Sequence, residues 1–291
     1  MKVLQAAICI ACLLLSTVSL HAQKNSTYEL DETYSINKEG TIHLNSNDAE
    51  VSIKGTDRSD VHVKVYHSVD IDGWKISSEG KFKMSVENKN GDLYIDEAES
   101  ANHMVMFGKI EEEYRITIEA PHSTSLNING DDDTYEIVDI SGLLNIDADD
   151  SVIDLRGLQG KQFGFNLDDG TIEMDQGQGS LNIDMDDGEL NVRNADFSQI
   201  ESSTDDAELN ITTSLTDEGL YKFDMDDGDL ELNISGGGGV FDISHDDPEL
   251  SAGNNFEEVS SDEDNSGYSL AGGNARIKID VDDADISLQT I

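Results

Sequence analysis

The sequence predicts an all-β fold, a β-solenoid of 18–21-residue coils behind an N-terminal β cap. Three observations carry this expectation. A short acidic turn motif recurs at near-constant spacing, apolar residues stand at the same offsets on both sides of every copy, and no segment repeats its apolar residues at helical spacing over several turns.

The turn motif is Asp-Asp followed by Gly, Ala, Ser, Asp or Pro, with Asn265 in place of the second Asp in one copy. Its copies start at Asp131, Asp149, Asp168, Asp186, Asp205, Asp226, Asp246, Asp264 and Asp282, with successive spacings of 18, 19, 18, 19, 21, 20, 18 and 18 residues. Asp accepts hydrogen bonds from backbone just ahead of it and Gly tolerates positive φ, so the motif is turn chemistry. Counting the first Asp as position one, the fifth position reads Tyr135, Ile153, Ile172, Leu190, Leu209, Leu230, Leu250, Tyr268 and Ile286. Five residues before the Asp stand Leu126, Leu144, Phe163, Leu181, Ile200, Tyr221, Phe241, Val259 and Ile277. The position three before it is mostly Ile or Phe, with Ser202 and Ser261 as exceptions. Each repeat therefore supplies two short strands of period two, each with one inward apolar face.

A unit this small cannot bury that face alone, so neighbouring units must stack. Stacking of like on like explains why the ladders keep fixed positions, which favours a solenoid with one coil per repeat. The rival is a meander of hairpins, because Asp-Gly between alternating strands is also a hairpin motif.

Residues 23–121 alternate as well, in Thr41–Leu44, Val51–Ile53, Val61–Val65, Phe82–Met84 and Tyr114–Ile118, with degenerate turns at Asn47-Asp48-Ala49 and Asn90-Gly91-Asp92. This segment reads as a cap protecting one end of the array from edge pairing. The sole tryptophan, Trp74, reads as a core anchor of that cap. The organisation is then 1–22 signal peptide, 23–121 cap and 122–291 acidic repeat array. The signal assignment rests on Lys2, the apolar run Val3–Leu20 and the small residue Ala22 before Gln23. Both cysteines, Cys9 and Cys12, fall inside it, so the mature chain is expected to lack thiols and disulfides. No second apolar run approaches the roughly 20 residues that a membrane span needs.

The 291 residues carry 18 Lys+Arg against 62 Asp+Glu, a net charge of −44. Residues 23–121 hold 11 basic and 20 acidic side chains and residues 122–291 hold 6 and 42, so most of the charge belongs to the array. So acidic a chain cannot neutralise phosphates with Lys and Arg, which excludes nucleic acid and anionic membrane surfaces as partners.

The segments Gly40–Leu44, Asn47–Gly55, Asp57–Val63 and Tyr114–Pro121, followed by the repeats, resemble a family of bacterial putative adhesins with β-strand repeats, related to the head domain of autotransporter adhesins. The resemblance spans nearly the whole mature chain. It implies a right-handed single-stranded β-helix-like fold and an exported, non-enzymatic role, and it brings no catalytic residues. The family usually has Ser-Gly-Asp where this chain mostly has Asp-Asp-Gly or Asp-Asp-Ala, so the acidity is a departure.

In a solenoid the turn aspartates lie about 4.8 Å from their equivalents in the next coil. Like charges at that spacing repel, so protonation, salt, splayed side chains or a hard cation should relieve them. Calcium, which takes six to eight oxygen ligands, is the candidate cofactor. Its candidate ligands are Asp184, Asp186 and Asp187 in one rung and Asp224, Asp226, Asp227 and Asp229 in another. The alternative is a solvated acidic face whose aspartates form turns and oppose aggregation. Neither cluster is an EF-hand loop. The histidines, His62 among them, have no zinc-site spacing, and His62 reads as a solvent-facing strand residue.

The functional reading is an exported surface or envelope β-solenoid, an adhesin or structural interaction module. It would be located in the periplasm, at the outer surface or outside the cell. Its partner would be an unidentified protein or glycan ligand, and the sequence leaves the oligomeric state open. The alternative is a periplasmic sensor or stress-response protein that binds a cationic partner. A polysaccharide-active enzyme comes third, because a catalytic carboxylate pair should interrupt the repeat and these carboxylates do not.

Overall fold

The computed structural model describes residues 26–77, 82–97, 104–246 and 249–291. The segment read as the signal peptide and the side chain of Trp74 lie outside the described residues. The cap region begins with β1 (Ser26–Ser35), β2 (Thr41–Asn45), β3 (Glu50–Thr56) and β4 (Asp60–Ser77), then β5 (Met84–Lys89), β6 (Asp92–Glu97) and β7 (Met104–Pro121). The repeats supply β8 (Ser125–Gly130), β9 (Thr134–Val138), β10 (Leu144–Ala148), β11 (Ser151–Leu158) and β12 (Gln162–Leu167). Two long strands follow, β13 (Gly170–Ser214) and β14 (Leu220–Gly236). The last six are β15 (Gly239–His245), β16 (Leu250–Ala252), β17 (Phe256–Ser261), β18 (Asn265–Leu270), β19 (Ala275–Val281) and β20 (Asp285–Thr290). No helix occurs among the described residues.

These strands form two runs of pairing, joined where β13 and β14 pass from one into the other. In the first run Leu93, Ile42, Leu126, Leu144, Phe163 and Leu181 are successive parallel partners, and Ile200, Tyr221, Ile277 and Phe241 continue the row. In the second, Ile116, Val51, Tyr135, Ile153 and Ile172 are aligned, and Leu209, Leu230, Ile286 and Leu250 follow. All of these side chains are buried in one core except Leu250, which packs on it half-buried. Period-two alternation produces this: the buried and exposed positions of β8, β10 and β12 interchange residue by residue. The turns stack too, with Asp187 N–H donating to the Asp168 carbonyl at 2.9 Å and Asp283 N–H to the Asp226 carbonyl at 2.8 Å. The result is an all-β, solenoid-like array.

Its coils do not stack in chain order. The last coil, β19 and β20, pairs with β14 on one side and with β15 and β16 on the other, so it lies between two coils that precede it. Likewise β2 and β3 lie between β6 and β7 on one side and β8 and β9 on the other.

One repeat departs from the coil pattern altogether. Around Asp264, β17 and β18 pair antiparallel with each other, and β18 pairs antiparallel with β15. The hairpin alternative is therefore correct for this copy of the motif. Its consequence is that Val259, expected to point inward, is 57% exposed. A second hairpin, β5 and β6, turns at Asn90 and Gly91 with φ of 59° and 96°, the doubly positive turn that Asn-Gly favours. At the cap, β1, β4 and β7 form an antiparallel ribbon in which Val61, Val63 and Val65 are buried while His62 points outward, its side chain 20% exposed.

The coil through Ser202 carries two core hydroxyls. Ser202 pairs with Phe223 and Thr204 with Met225; both are buried, and neither hydroxyl has a hydrogen-bond partner. A buried unsatisfied hydroxyl costs about 1–3 kcal/mol. Thr204→Val, which keeps the shape and removes the polar atom, should raise Tm by about 3–6 °C. Ser202→Val should act in the same direction. Thermal unfolding followed by circular dichroism measures both, and a lowered Tm in both variants would show that these hydroxyls are satisfied in solution.

Candidate functional site

The seven candidate calcium ligands do not form one site. Asp184 occupies an outward position opposite Asn166, and Asp186 and Asp187 follow it within β13, where that strand passes from one run into the other. Asp224 and Asp226 line a hollow of about 410 Å³ together with Asp246, Asp264, Asp280 and Asp282. His245 also lines it, with Nε2 3.0 Å from the Ser266 hydroxyl and Nδ1 sealed from solvent without a partner. Asp229 lies apart from these, in a groove of about 370 Å³ on the second run of strands. Asp227 lies between them within β14, among Asp206, Asp226, Asp282 and Asp283. Among the described residues no group of three or more His, Asp or Glu side chains is arranged to hold a metal ion.

Two outward columns show how the array carries its charge. In the strand column Asn129, Asp147, Asn166 and Asp184 are successive partners, so a neutral amide separates each aspartate from the next. Asn166 Nδ2 donates to Asp147 Oδ1 at 3.1 Å. Farther along, Asp224 sits between Ser203 and Asp280, which brings two aspartates into contact. There the chain supplies cations. Lys222 Nζ lies 3.2 Å from Asp224, and Lys278 pairs with Asp280, holding its carboxyl below the ordinary range.

The turn column has no such relief. The Asp168 charge pushes Asp149 upward, with a smaller contribution from desolvation. Asp169, Asp186 and Asp227 are also raised, first by desolvation and then by the aspartates of adjoining turns. The groove on the second run adds a further acidic column of Glu189, Glu208, Asp229, Asp285 and Glu249, and no Lys or Arg lines it. Chemically, these columns can concentrate cations or engage basic side chains along an extended line.

A different cluster lies at the cap, inside the core. Asp133 is 1% exposed and accepts from the Tyr135 hydroxyl at 2.6 Å, the Ala49 N–H at 2.6 Å and the Ser46 hydroxyl at 3.0 Å. Glu97 and the ring of His67 stand close by. Burial pushes Asp133 and Glu97 upward despite the donors around Asp133. The sequence reading passed over this cluster. Its one legible sign is Asp133 itself, a third Asp where seven other turns place Gly, Ala or Ser.

Among the described residues no helix is long and apolar enough to cross a membrane. Nothing matches among curated proteins. Several solved structures are similar at low identity. One is a putative adhesin from Parabacteroides distasonis ATCC 8503, 9% identical over 93% of this chain and 98% of that one, with a TM-score of 0.44. Another is a putative adhesin from Bacteroides fragilis NCTC 9343, 14% identical over 91% and 97%, with a TM-score of 0.40. A third, a putative lipid binding protein from Parabacteroides distasonis ATCC 8503, is 12% identical over 92% and 97%, with a TM-score of 0.31. The model of the family described as Toastrack DUF4097 matches residues 40–289, which takes in both inserted coils and every repeat, and the chain belongs to that family.

Proposed function

We propose that this protein is an exported, non-catalytic interaction module of the cell envelope, adhesive or scaffolding in role, whose acidic columns engage a cationic partner. The reading includes right-handed coils, kinship with the head domains of autotransporter adhesins, and calcium as an accessory ion on the turn column. The observation that supports it best is the groove, where five carboxylates from Glu189 to Glu249 line up with no basic residue in the lining. Such a column complements an extended chain carrying Lys or Arg at strand spacing, and the attraction is salt-sensitive.

The test is titration calorimetry of the mature chain with oligolysine, alongside a variant combining Glu208→Gln, Asp229→Asn and Asp285→Asn. The variant should bind at least about tenfold more weakly at low salt. Equal affinity would exclude the groove as the site. For calcium, millimolar Ca²⁺ should raise Tm beyond a monovalent control of equal ionic strength, and equal shifts in the two salts would end that part of the reading.

A further inference from the structure

The first run of strands turns an amide-rich face outward. On β2, β8, β10, β12 and the part of β13 in register with them, two outward columns flank a buried ladder. One reads His43, Asn127, Asn145, Gly164 and Asn182; the other opens at Asn45 and continues as the alternating amides and aspartates from Asn129 to Asp184. Of these ten residues six are Asn and two are charged. The second run differs. On β9, β11 and β13 its equivalent positions hold Glu136 and Val138, Asp154 and Arg156, and Glu173 and Asp175.

Folding does not account for these amides. Asn is a poor strand former, and a solvent-facing strand position takes Thr more readily. Charge spacing explains Asn129 and Asn166, which separate aspartates, but the column of Asn127, Asn145 and Asn182 has no aspartate to separate. Asn166 donates to Asp147, whereas the exposed carboxamides of Asn145 and Asn182 have no hydrogen-bond partner among the described residues. Gly164 is the second anomaly. It stands mid-strand, paired in regular register with Asn145 on one side and Asn182 on the other, so neither a turn nor a bulge requires it. A Cβ there would meet only the Asn145 side chain, with Oδ1 2.8 Å away. Glycine inside a strand weakens it and marks a place where another molecule can come close. Here it leaves a notch between two free amides.

The chemistry of the face selects its partner. A carboxamide presents a donor and an acceptor in one plane, which matches neighbouring hydroxyls on a sugar ring. The amides recur at strand spacing, ~4.8 Å, close to the length of one sugar residue in an extended chain. With no Lys or Arg in either column, an acidic glycan has no counter-charge there. Leu143, 45% exposed, is the one large exposed apolar side chain beside the columns among the described residues, too little for the apolar centre of a protein interface. We propose that this face binds an uncharged linear glycan, with one sugar ring seated over Gly164 and its hydroxyls held by Asn145 and Asn182. The surface is separate from the acidic groove on the second run, and its ligand differs in charge from that of the groove.

The test is binding of the mature chain to immobilised β-glucan, α-mannan and galactan, with polygalacturonate as the charged control. At least one neutral polysaccharide should retain the chain, equally from about 0.01 to about 1 M salt, because no ion pair is involved. Gly164→Thr fills the notch with a better strand former, so Tm should hold or rise while affinity falls about tenfold or more. Should that variant lose stability, Asn145→Thr combined with Asn182→Thr should show the same loss of affinity at an unchanged Tm. The variant combining Glu208→Gln, Asp229→Asn and Asp285→Asn should bind the polysaccharide as the unsubstituted chain does. No retention on any of the three neutral polysaccharides, retention on polygalacturonate alone, or retention that salt abolishes overturns the proposal. So does undiminished affinity in the stable face variant, or a loss of affinity in the groove variant.

Discussion

Removing residues 275–291 should release the whole of residues 239–270 from the fold, although that segment would be untouched. The strands of 239–270 pair with β19, with β20 and with one another, and none of them pairs with β14. Among the described residues the last coil is thus the only paired link between this segment and the body of the array. It also buries Ile277, Ile279, Val281, Ile286 and Leu288. Five such side chains amount to roughly 8–15 kcal/mol of transfer free energy, comparable with the whole stability of an ordinary domain. The truncated chain would expose the parallel edges of β14 in both runs and should aggregate. Hydrogen exchange should show protection kept in 144–214 and lost from 239–270. Protection retained in 239–270 would refute the inserted arrangement. A point substitution probes the same coil: Ile279→Asp, placed between Phe223 and Ile243, should cost at least ~3 kcal/mol, whereas Val259→Asp should be nearly neutral.

The second large effect should come from the turn column. Asp149, Asp169, Asp186 and Asp227 are all raised, so the folded array binds more protons than the unfolded chain at pH values above the ordinary aspartate range. Stability should therefore rise as pH falls from neutral toward about 5. It should fall again below about 4, where Asp31, Asp262 and Asp280, held low by hydrogen bonds to His62, Asn265 and Lys278, lose their charges. Salt should act in the same direction as mild acid. Going from about 0.01 to 0.15 M shortens the screening length from about 30 to 8 Å, less than two rungs. At neutral pH this should raise Tm by about 5 °C or more, and at pH 5 by clearly less. Calorimetric scans at the two salt concentrations and the two pH values measure it. A Tm that is flat in salt at neutral pH would mean that the column is neutralised by some other route.

Much of the fold was legible in sequence because its causes are local. Alternation in Leu126-Asn127-Ile128 and turn chemistry at Asp149-Asp150 act within a few residues, and they place the buried ladders where the structure has them. The hairpin at Asp264 was less legible, because the same acidic turn serves a coil or a hairpin. What distinguishes this copy is Phe256-Glu257-Glu258, a strand with too little apolar surface to form a core rung; its exposed pattern shows the outcome. The cap cluster was less legible still. Ser46, Glu97 and Asp133 are far apart in sequence and meet only because β2, β6 and β8 stack.

By itself, then, the sequence determined that this is an all-β repeat array, which side chains face the core, and where the negative charge sits. Which coil lies next to which was decided only by the tertiary structure. The rungs present nearly interchangeable Leu, Ile and Phe side chains, so any coil could in principle seat on any other, and local patterning carries no information about order. Order is settled by what happens at the ends: hairpins cover the terminal rungs, and the first and last coils are drawn one place inward. That placement puts Asp224 beside Asp280, where Lys222 and Lys278 answer the charge, and it closes the cap over His67 and Glu97.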